Sequence, residues 1–162
     1  MTAVRTKPLI ERLAKLPLKR LHYLGLEWTG MTDATLAKLA PALAGIRNLS
    51  LAFNDVTAAG LAALAPYVDG IEFLGLGTSL KQRENGLEIG RGWIDCLCSR
   101  PEFRNLRAVT MYNYAGRPAK ADLDRLKALP QMKTVAVSEA FGIKLLDAAK
   151  SGTLDRDDLE SL

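Results

Sequence analysis

The stretch NLSLAFNDVTAAGLAALAP, residues 48–66, repeats the pattern of YLGLEWTGMTDATLAKLAP, residues 23–41, at a distance of 25 residues. Self-similarity at such a period is typical of proteins built from stacked repeats. The apolar pattern Φ-x-x-Φ-x-x-Φ-x-Φ, where Φ is an apolar residue, occurs in five copies that share one register. The copies begin at Leu18, Leu43, Val68, Phe103 and Leu129, at spacings of 25, 25, 35 and 26 residues. This regularity predicts a solenoid whose core is shared by neighbouring coils.

Each copy predicts a short strand, a turn and a helix. The Φ-x-Φ end of the pattern alternates like a strand with one buried face. Thr32 and Thr57 follow as candidate helix caps, and leucines then recur at helical spacing. Pro41, Pro66 and Pro101 end the helices and are expected to return the chain to extended geometry. The predicted strands are centred on residues 24–26, 49–51, 74–76, 109–111 and 135–137.

The segment LSLAFNDVTAAGLAALA, residues 49–65, resembles a leucine-rich repeat, with Leu49, Leu51 and Asn54 on that family's L-x-L-x-x-N signature. Its helical half is similar to ribonuclease-inhibitor-like and bacterial GALA-type repeats. The resemblance extends over residues 18–140. It implies an α/β leucine-rich-repeat solenoid, with about five parallel strands on one face and helices on the other.

The signature asparagine, which satisfies backbone groups inside the turn, is present only at Asn54. The matching positions in the other coils are Thr29, Ser79, Tyr114 and Ala140. Thr29 and Ser79 are able to do part of the same work, whereas Tyr114 and Ala140 are not. We therefore expect the fourth and fifth coils to be irregular.

The length of 162 residues predicts one domain. Residues 1–17 are expected to cap the N-terminal end of the core, with Leu9, Leu13 and Leu16 on one helical face. The repeats occupy residues 18–140, with an insertion near 78–100. Residues 141–162, which include FGIKLLDAAK and an acidic tail, are expected to form the C-terminal cap.

The net charge of +4 alternates along the chain instead of forming one basic block. It is +5 over residues 1–22, −3 over 23–80, +4 over 81–120 and −2 over 121–162. This alternation disfavours nucleic-acid binding. No apolar stretch is long enough to span a membrane, and the charged N-terminus lacks a secretory signal, so we expect a cytoplasmic monomer.

Cys96 and Cys98 lie in DCLCS, too close together for a disulfide framework. A metal site needs further ligands, and the sole histidine, His22, is far away in the sequence. His22 also lies two coils from the cysteines, so no base is predicted beside a thiol nucleophile. We therefore expect reduced, partly buried thiols, no metal, no cofactor and no enzymatic activity.

The strand face of such a solenoid is the expected binding surface, and its outward residues follow from the register. They form three rows: Tyr23, Asn48, Phe73, Ala108, Thr134; Gly25, Ser50, Gly75, Thr110, Ala136; and Glu27, Ala52, Gly77, Tyr112, Ser138. These rows predict a shallow floor of Gly and Ser with aromatic walls, and aromatic residues anchor many protein interfaces. Trp28 and Phe53 follow immediately, although packing on the adjacent turn is an equally good interpretation of Phe53.

The third repeat exceeds the 25-residue period by ten residues, between Leu76 and Pro101. Insertions in repeat arrays map to loops on one face, often the binding face, and a tolerated surface insertion is the equal alternative. The predicted partner-binding residues are Tyr23, Gly25, Glu27, Trp28, Asn48, Ser50, Phe73, Gly75, Arg83, Arg91, Thr110 and Tyr112.

These features predict a non-enzymatic protein–protein interaction module with a protein partner. A narrower form of the prediction is an inhibitor or immunity-type protein. One alternative is an effector or adaptor that engages a host protein. Another is a nucleic-acid-binding protein that uses the insertion and the basic N-terminus, namely Arg5, Lys7, Arg12, Lys15, Lys19 and Arg20.

Overall fold

The computed structural model describes residues 3–113 and 115–138. Within these residues, five short parallel strands form one sheet in the order of the chain, and each lies beside the strand of the next coil. They are β1 (Tyr23–Gly25), β2 (Asn48–Ser50), β3 (Phe73–Gly77), β4 (Ala108–Tyr112) and β5 (Thr134–Ser138). The α/β solenoid predicted from the repeats is confirmed.

The register of the sheet is also the one that the repeats predict. Tyr23, Asn48, Phe73, Ala108 and Thr134 lie side by side on successive strands. Leu49, Leu74 and Val109 form the next row and are completely buried. A shift of one residue would turn this apolar row to solvent, so burial holds the strands in register.

In the described part of the chain, five helices form the second layer: α1 (Ala3–Leu13), α2 (Asp33–Leu39), α3 (Ala58–Leu64), α4 (Gly86–Ser99) and α5 (Lys120–Lys127). Thr32 and Thr57 cap α2 and α3 as predicted, because their hydroxyls accept hydrogen bonds from the backbone N–H of Thr35 and Ala59. Pro41, Pro66 and Pro101 do not lead directly into extended chain. Pro41 and Pro66 lie in 3₁₀ turns that directly continue α2 and α3, whereas Pro101 begins a separate 3₁₀ turn after the extended Arg100.

The excess of the third repeat is helix, not loop, which corrects the expected insertion. Helix α4 has 14 residues, whereas α2 and α3 have seven each. Trp93 and Leu97 on its inner face are buried, and Ile89 packs against the core. The Trp93 Nε1–H donates a hydrogen bond to the Val56 carbonyl at 3.2 Å, which ties α4 to the second coil. The added residues therefore lengthen the helical layer.

The N-terminal end of the core is covered by α1, but only one of the three predicted residues, Leu13, contributes. Ile10 is buried and Leu13 is partly buried, whereas Leu9 and Leu16 are 38% and 53% exposed. Ile10 is one position from Leu9, so the buried stripe of α1 is rotated around the helix. The expected cap at residues 141–162 and the irregular positions Tyr114 and Ala140 lie outside the described residues.

Candidate functional site

The strand face carries the predicted outward residues, but their exposure is uneven. Tyr23 is 55% exposed, and Asn48, Phe73 and Thr110 are partly exposed. Ser50 is only 6% exposed, and Gly75 is buried beside it. The centre of the predicted floor of small residues is therefore largely inaccessible to solvent or to a partner.

Ser50 and Gly75 explain this closure together, because the serine side chain occupies the space that a side chain at Gly75 would need. A Cβ at Gly75 would lie 2.7 Å from the Ser50 Oγ and 3.3 Å from its Cα. Atoms this close to a Cβ must move, so a large substitution at either position disturbs the sheet itself. A binding test of the strand face must use more exposed residues.

The first coil presents Tyr23, Gly25 and Glu27 together. The Tyr23 hydroxyl donates a hydrogen bond to Glu27 Oε1 at 3.3 Å, and Glu27 Oε2 lies over Gly25. Burial raises the pKa of Tyr23, and the Glu27 carboxylate raises that pKa further because it disfavours the phenolate. The tyrosine therefore stays protonated and remains a hydrogen-bond donor at neutral pH.

Three aromatic rings line the C-terminal ends of the strands, and we refer to Trp28, Phe53 and Tyr112 as the aromatic row. The Trp28 and Phe53 rings stack, with centroids 4.4 Å apart and planes 14° apart. The Phe53 and Tyr112 rings are tilted by 34° with centroids 5.3 Å apart. Trp28 is 58% exposed, so one end of the row is open to solvent. The structure thus brings two predicted site residues, Trp28 and Tyr112, into one cluster through Phe53.

The backbone places these rings by adopting a conformation that bulky residues rarely take. Trp28 and Phe53 have φ angles of 58° and 61°, in the left-handed region. Phe53 then reaches Tyr112 across Gly77, the residue paired with Tyr112 in the sheet. A Cβ at Gly77 would lie 2.9 Å from the Phe53 backbone nitrogen, so the close approach of the two chains requires glycine here.

Asn54 holds the turn that carries Trp28. Its Oδ1 accepts hydrogen bonds from the backbone N–H of Thr29 at 3.1 Å and of Met31 at 2.9 Å. Its Nδ2 donates to the carbonyls of Leu26 at 2.7 Å and Leu51 at 3.1 Å. Asn54 is almost completely buried. The signature asparagine therefore satisfies the backbone on both sides of the exposed ring.

The equivalents of Asn54 in the next coils are Thr78 and Asn113, which corrects the predicted positions Ser79 and Tyr114. Thr78 is bridged to Asn54, and its hydroxyl lies 3.4 Å from Asn113 Oδ1. Asn113 Nδ2 donates to the Gly86 carbonyl at 2.6 Å and thereby ties the start of α4 to the fourth coil. In the coils of β3 and β4, the position equivalent to Asn54 comes one residue earlier than in the second coil. The reason is that β3 and β4 continue as strand where the first two coils contain one residue with left-handed backbone.

A shallow cleft of about 260 Å³ opens beside the aromatic row. Trp28, Phe53 and the half-exposed Leu80 supply apolar walls. Asp55 accepts a hydrogen bond from the Ser79 hydroxyl and lies 3.6 Å from the Lys81 ammonium. The repeat pattern did not predict this cleft. The available signal was the apolar Leu80 between the polar residues Ser79 and Lys81, three positions after the end of β3.

The two predicted arginines do not lie together on the strand face. Arg83 follows the 3₁₀ turn Leu80–Gln82 and is exposed near the ends of the strands. Arg91 is exposed on α4, which packs between α3 and α5 in the helical layer. The helical form of the excess residues separates Arg91 from the aromatic row.

The cysteines show no sign of an activated nucleophile. Burial raises the pKa of the Cys96 thiol and of the Cys98 thiol, so both are protonated at neutral pH. Within residues 3–113 and 115–138, no cluster of three or more His, Cys, Asp or Glu side chains is arranged to hold a metal ion. Over the same residues, no helix is both long and apolar enough to cross a bilayer.

No family model and no curated protein matches this chain. A solved structure, the tropomodulin C-terminal domain of Caenorhabditis elegans, is similar with a TM-score of 0.55 and 12% sequence identity, covering 96% of this chain and 94% of that chain. A likeness at this identity shows the fold, here a leucine-rich-repeat-like solenoid. The assignment to ribonuclease-inhibitor-like or GALA-type repeats is therefore wrong, because neither a family model nor a relative supports it.

Proposed function

We propose that this chain is a non-catalytic protein-binding module that holds its partner with the aromatic row and the adjoining cleft. The observation that carries the proposal is the exposure of Trp28 at the end of a stacked row of rings. Tryptophan and tyrosine in well-packed surroundings are the residues that most often dominate the free energy of protein binding. An exposed apolar wall beside a shallow cleft is the matching shape for a partner's side chain.

The backbone conformation of the row supports the same proposal. A non-glycine residue in the left-handed region costs on the order of 1 kcal/mol, and such strain is concentrated at functional sites. Two successive coils bear this cost at Trp28 and Phe53, and the buried Asn54 holds the first of the two turns. Glycine or asparagine would relieve the strain, so the conformation of the turn does not require a tryptophan here.

The test is capture of partners from a lysate of the native organism by the immobilised chain and two variants. Trp28→Ala removes the exposed end of the row. Tyr67→Ala is the matched control, because Tyr67 is 40% exposed in the 3₁₀ turn Ala65–Tyr67, at the other end of the repeat unit. Partners captured by the original chain and by Tyr67→Ala, but not by Trp28→Ala, are the expected result.

The captured partner is then purified and its affinity measured for the same proteins. A hot-spot tryptophan contributes at least about 2 kcal/mol, so Trp28→Ala should weaken binding by a factor of about 30. Equal affinities for Trp28→Ala and Tyr67→Ala would overturn the proposal. A monomeric state and a cytoplasmic location belong to the same proposal, and sedimentation and cell fractionation test them.

Inhibition of the partner is a narrower form of this proposal. If the captured protein is an enzyme, addition of the chain should lower its activity in proportion to the complex formed. Nucleic-acid binding is the second candidate, motivated by exposed basic side chains such as Arg12, Lys15 and Arg20. Binding led by phosphate contacts falls steeply as the salt concentration rises, so affinity for RNA that is unchanged between low and high salt would exclude it.

A further inference from the structure

Among the residues that the structure describes, the Glu27 carboxylate on the strand face of the first coil has no cationic partner. Glu27 folds back over β1, and a Cβ at Gly25 would lie 2.7 Å from its Oε2, so glycine makes the room for this carboxylate. Its Oε1 has the long hydrogen bond from Tyr23 at 3.3 Å. Among the side chains that the structure describes, no Lys, Arg or His lies within 4.0 Å of Glu27.

Two other carboxylates of the first two coils have the partners that Glu27 lacks. Asp33 accepts two hydrogen bonds from Thr57, and Asp55 accepts one from the Ser79 hydroxyl and forms an ion pair with Lys81. Lys81 is the cation beside Asp55, and its side chain is 77% exposed. Glu72, directly before β3, is likewise paired with Arg47 at 3.4 Å. Unlike these carboxylates, Glu27 is available to a cation on the partner.

The aromatic rings of Tyr23 and Trp28 favour one kind of cation at Glu27. Tyr23 and Trp28 flank the carboxylate in the sequence, and each exposes more than half of its surface. A guanidinium group is planar, so it can stack on an aromatic ring while donating two hydrogen bonds to a carboxylate. A lysine ammonium lacks this geometry. We propose that the partner protein presents an arginine side chain to Glu27, between Tyr23 and Trp28. This inference rests on the proposed protein-binding function.

The experiment is an NMR titration of the full ¹⁵N-labelled chain with three peptides. The probe is Ac-Gly-Leu-Arg-Leu-Gly-amide, and the controls replace its arginine with citrulline, which has the same shape without the charge, or with lysine. The arginine peptide should produce saturable shifts of the Gly25 amide and the Trp28 indole N–H. The citrulline peptide should bind at least about tenfold more weakly, because it loses the charge-assisted hydrogen bonds, and the lysine peptide should bind more weakly than the arginine peptide.

Two variants locate the effect. Glu27→Gln should weaken binding of the arginine peptide about tenfold, whereas Glu72→Gln, which alters a carboxylate already paired with Arg47, should leave it unchanged. Absence of saturable shifts, equal binding of the arginine and citrulline peptides, or full affinity of Glu27→Gln would each overturn the inference. Capture of the natural partner tests the proposed function separately. If capture is lost in Trp28→Ala but retained in Glu27→Gln, the inferred contact between Glu27 and an arginine of the partner is refuted, whereas the proposed protein-binding function is supported.

Discussion

Replacement of Asn54 by alanine is the most direct test of how the turns of this solenoid are held. The amide group makes well-formed hydrogen bonds with the Met31 N–H at 2.9 Å, the Leu26 carbonyl at 2.7 Å and the Thr29 N–H at 3.1 Å. Met31 and Leu26 are buried, so water cannot replace the amide without a change of the turn. A fourth bond joins the amide to the Leu51 carbonyl at 3.1 Å. At about 1 kcal/mol for each bond, Asn54→Ala should lower the free energy of unfolding by about 4 kcal/mol.

The measurement is urea unfolding followed by circular dichroism, with Asn48→Ala as the matched control. Asn48 donates one exposed hydrogen bond to the His22 carbonyl at 3.0 Å, so its loss should cost less than about 1 kcal/mol. Asn54→Ala should also weaken the near-ultraviolet signal of Trp28, because the turn after this ring loses its support. A loss below about 1 kcal/mol for Asn54→Ala, or equal losses for the two variants, would refute the role assigned to Asn54.

Two further predictions concern the glycines and the first coil. Gly77→Ala should destabilise the chain by about 1–3 kcal/mol in the same unfolding assay, because its Cβ would meet the neighbouring backbone at 2.9 Å, whereas Gly70→Ala has open space and should be neutral or gain up to about 1 kcal/mol. The pKa of Tyr23 should exceed its ordinary value of 10.0 in an NMR pH titration, and Glu27→Gln should lower it only in part because burial is the larger cause. Since this pKa is higher in the folded state, the stabilisation it reports is present below pH 10.0 and is lost as the pH rises through the folded-state pKa. A Tyr23 pKa at or below 10.0 would contradict this geometry.

Two of the expectations that proved wrong have a clear physical reason. The excess residues of the third repeat predict a loop only through the general rule that insertions in repeat arrays map to loops. The spacing of Ile89, Trp93 and Leu97 is helical, and burial of Trp93 against the second coil makes that helix part of the core. The repeat spacing did not identify Asn113 as the equivalent of Asn54. That spacing assumes that every coil has one residue with left-handed backbone after its strand, as the first two coils have at Trp28 and Phe53.

The sequence by itself determined the repeat, the inward residues and the register of the sheet, because each Φ-x-Φ segment has only one face that it can bury against its neighbours. The tertiary structure alone decided which outward residues are accessible and which rings meet. Ser50 is closed off by its approach to Gly75, and Phe53 reaches Tyr112 only because Gly77 has no side chain. These contacts join residues from different coils, and their distances depend on turn geometry that no single repeat specifies.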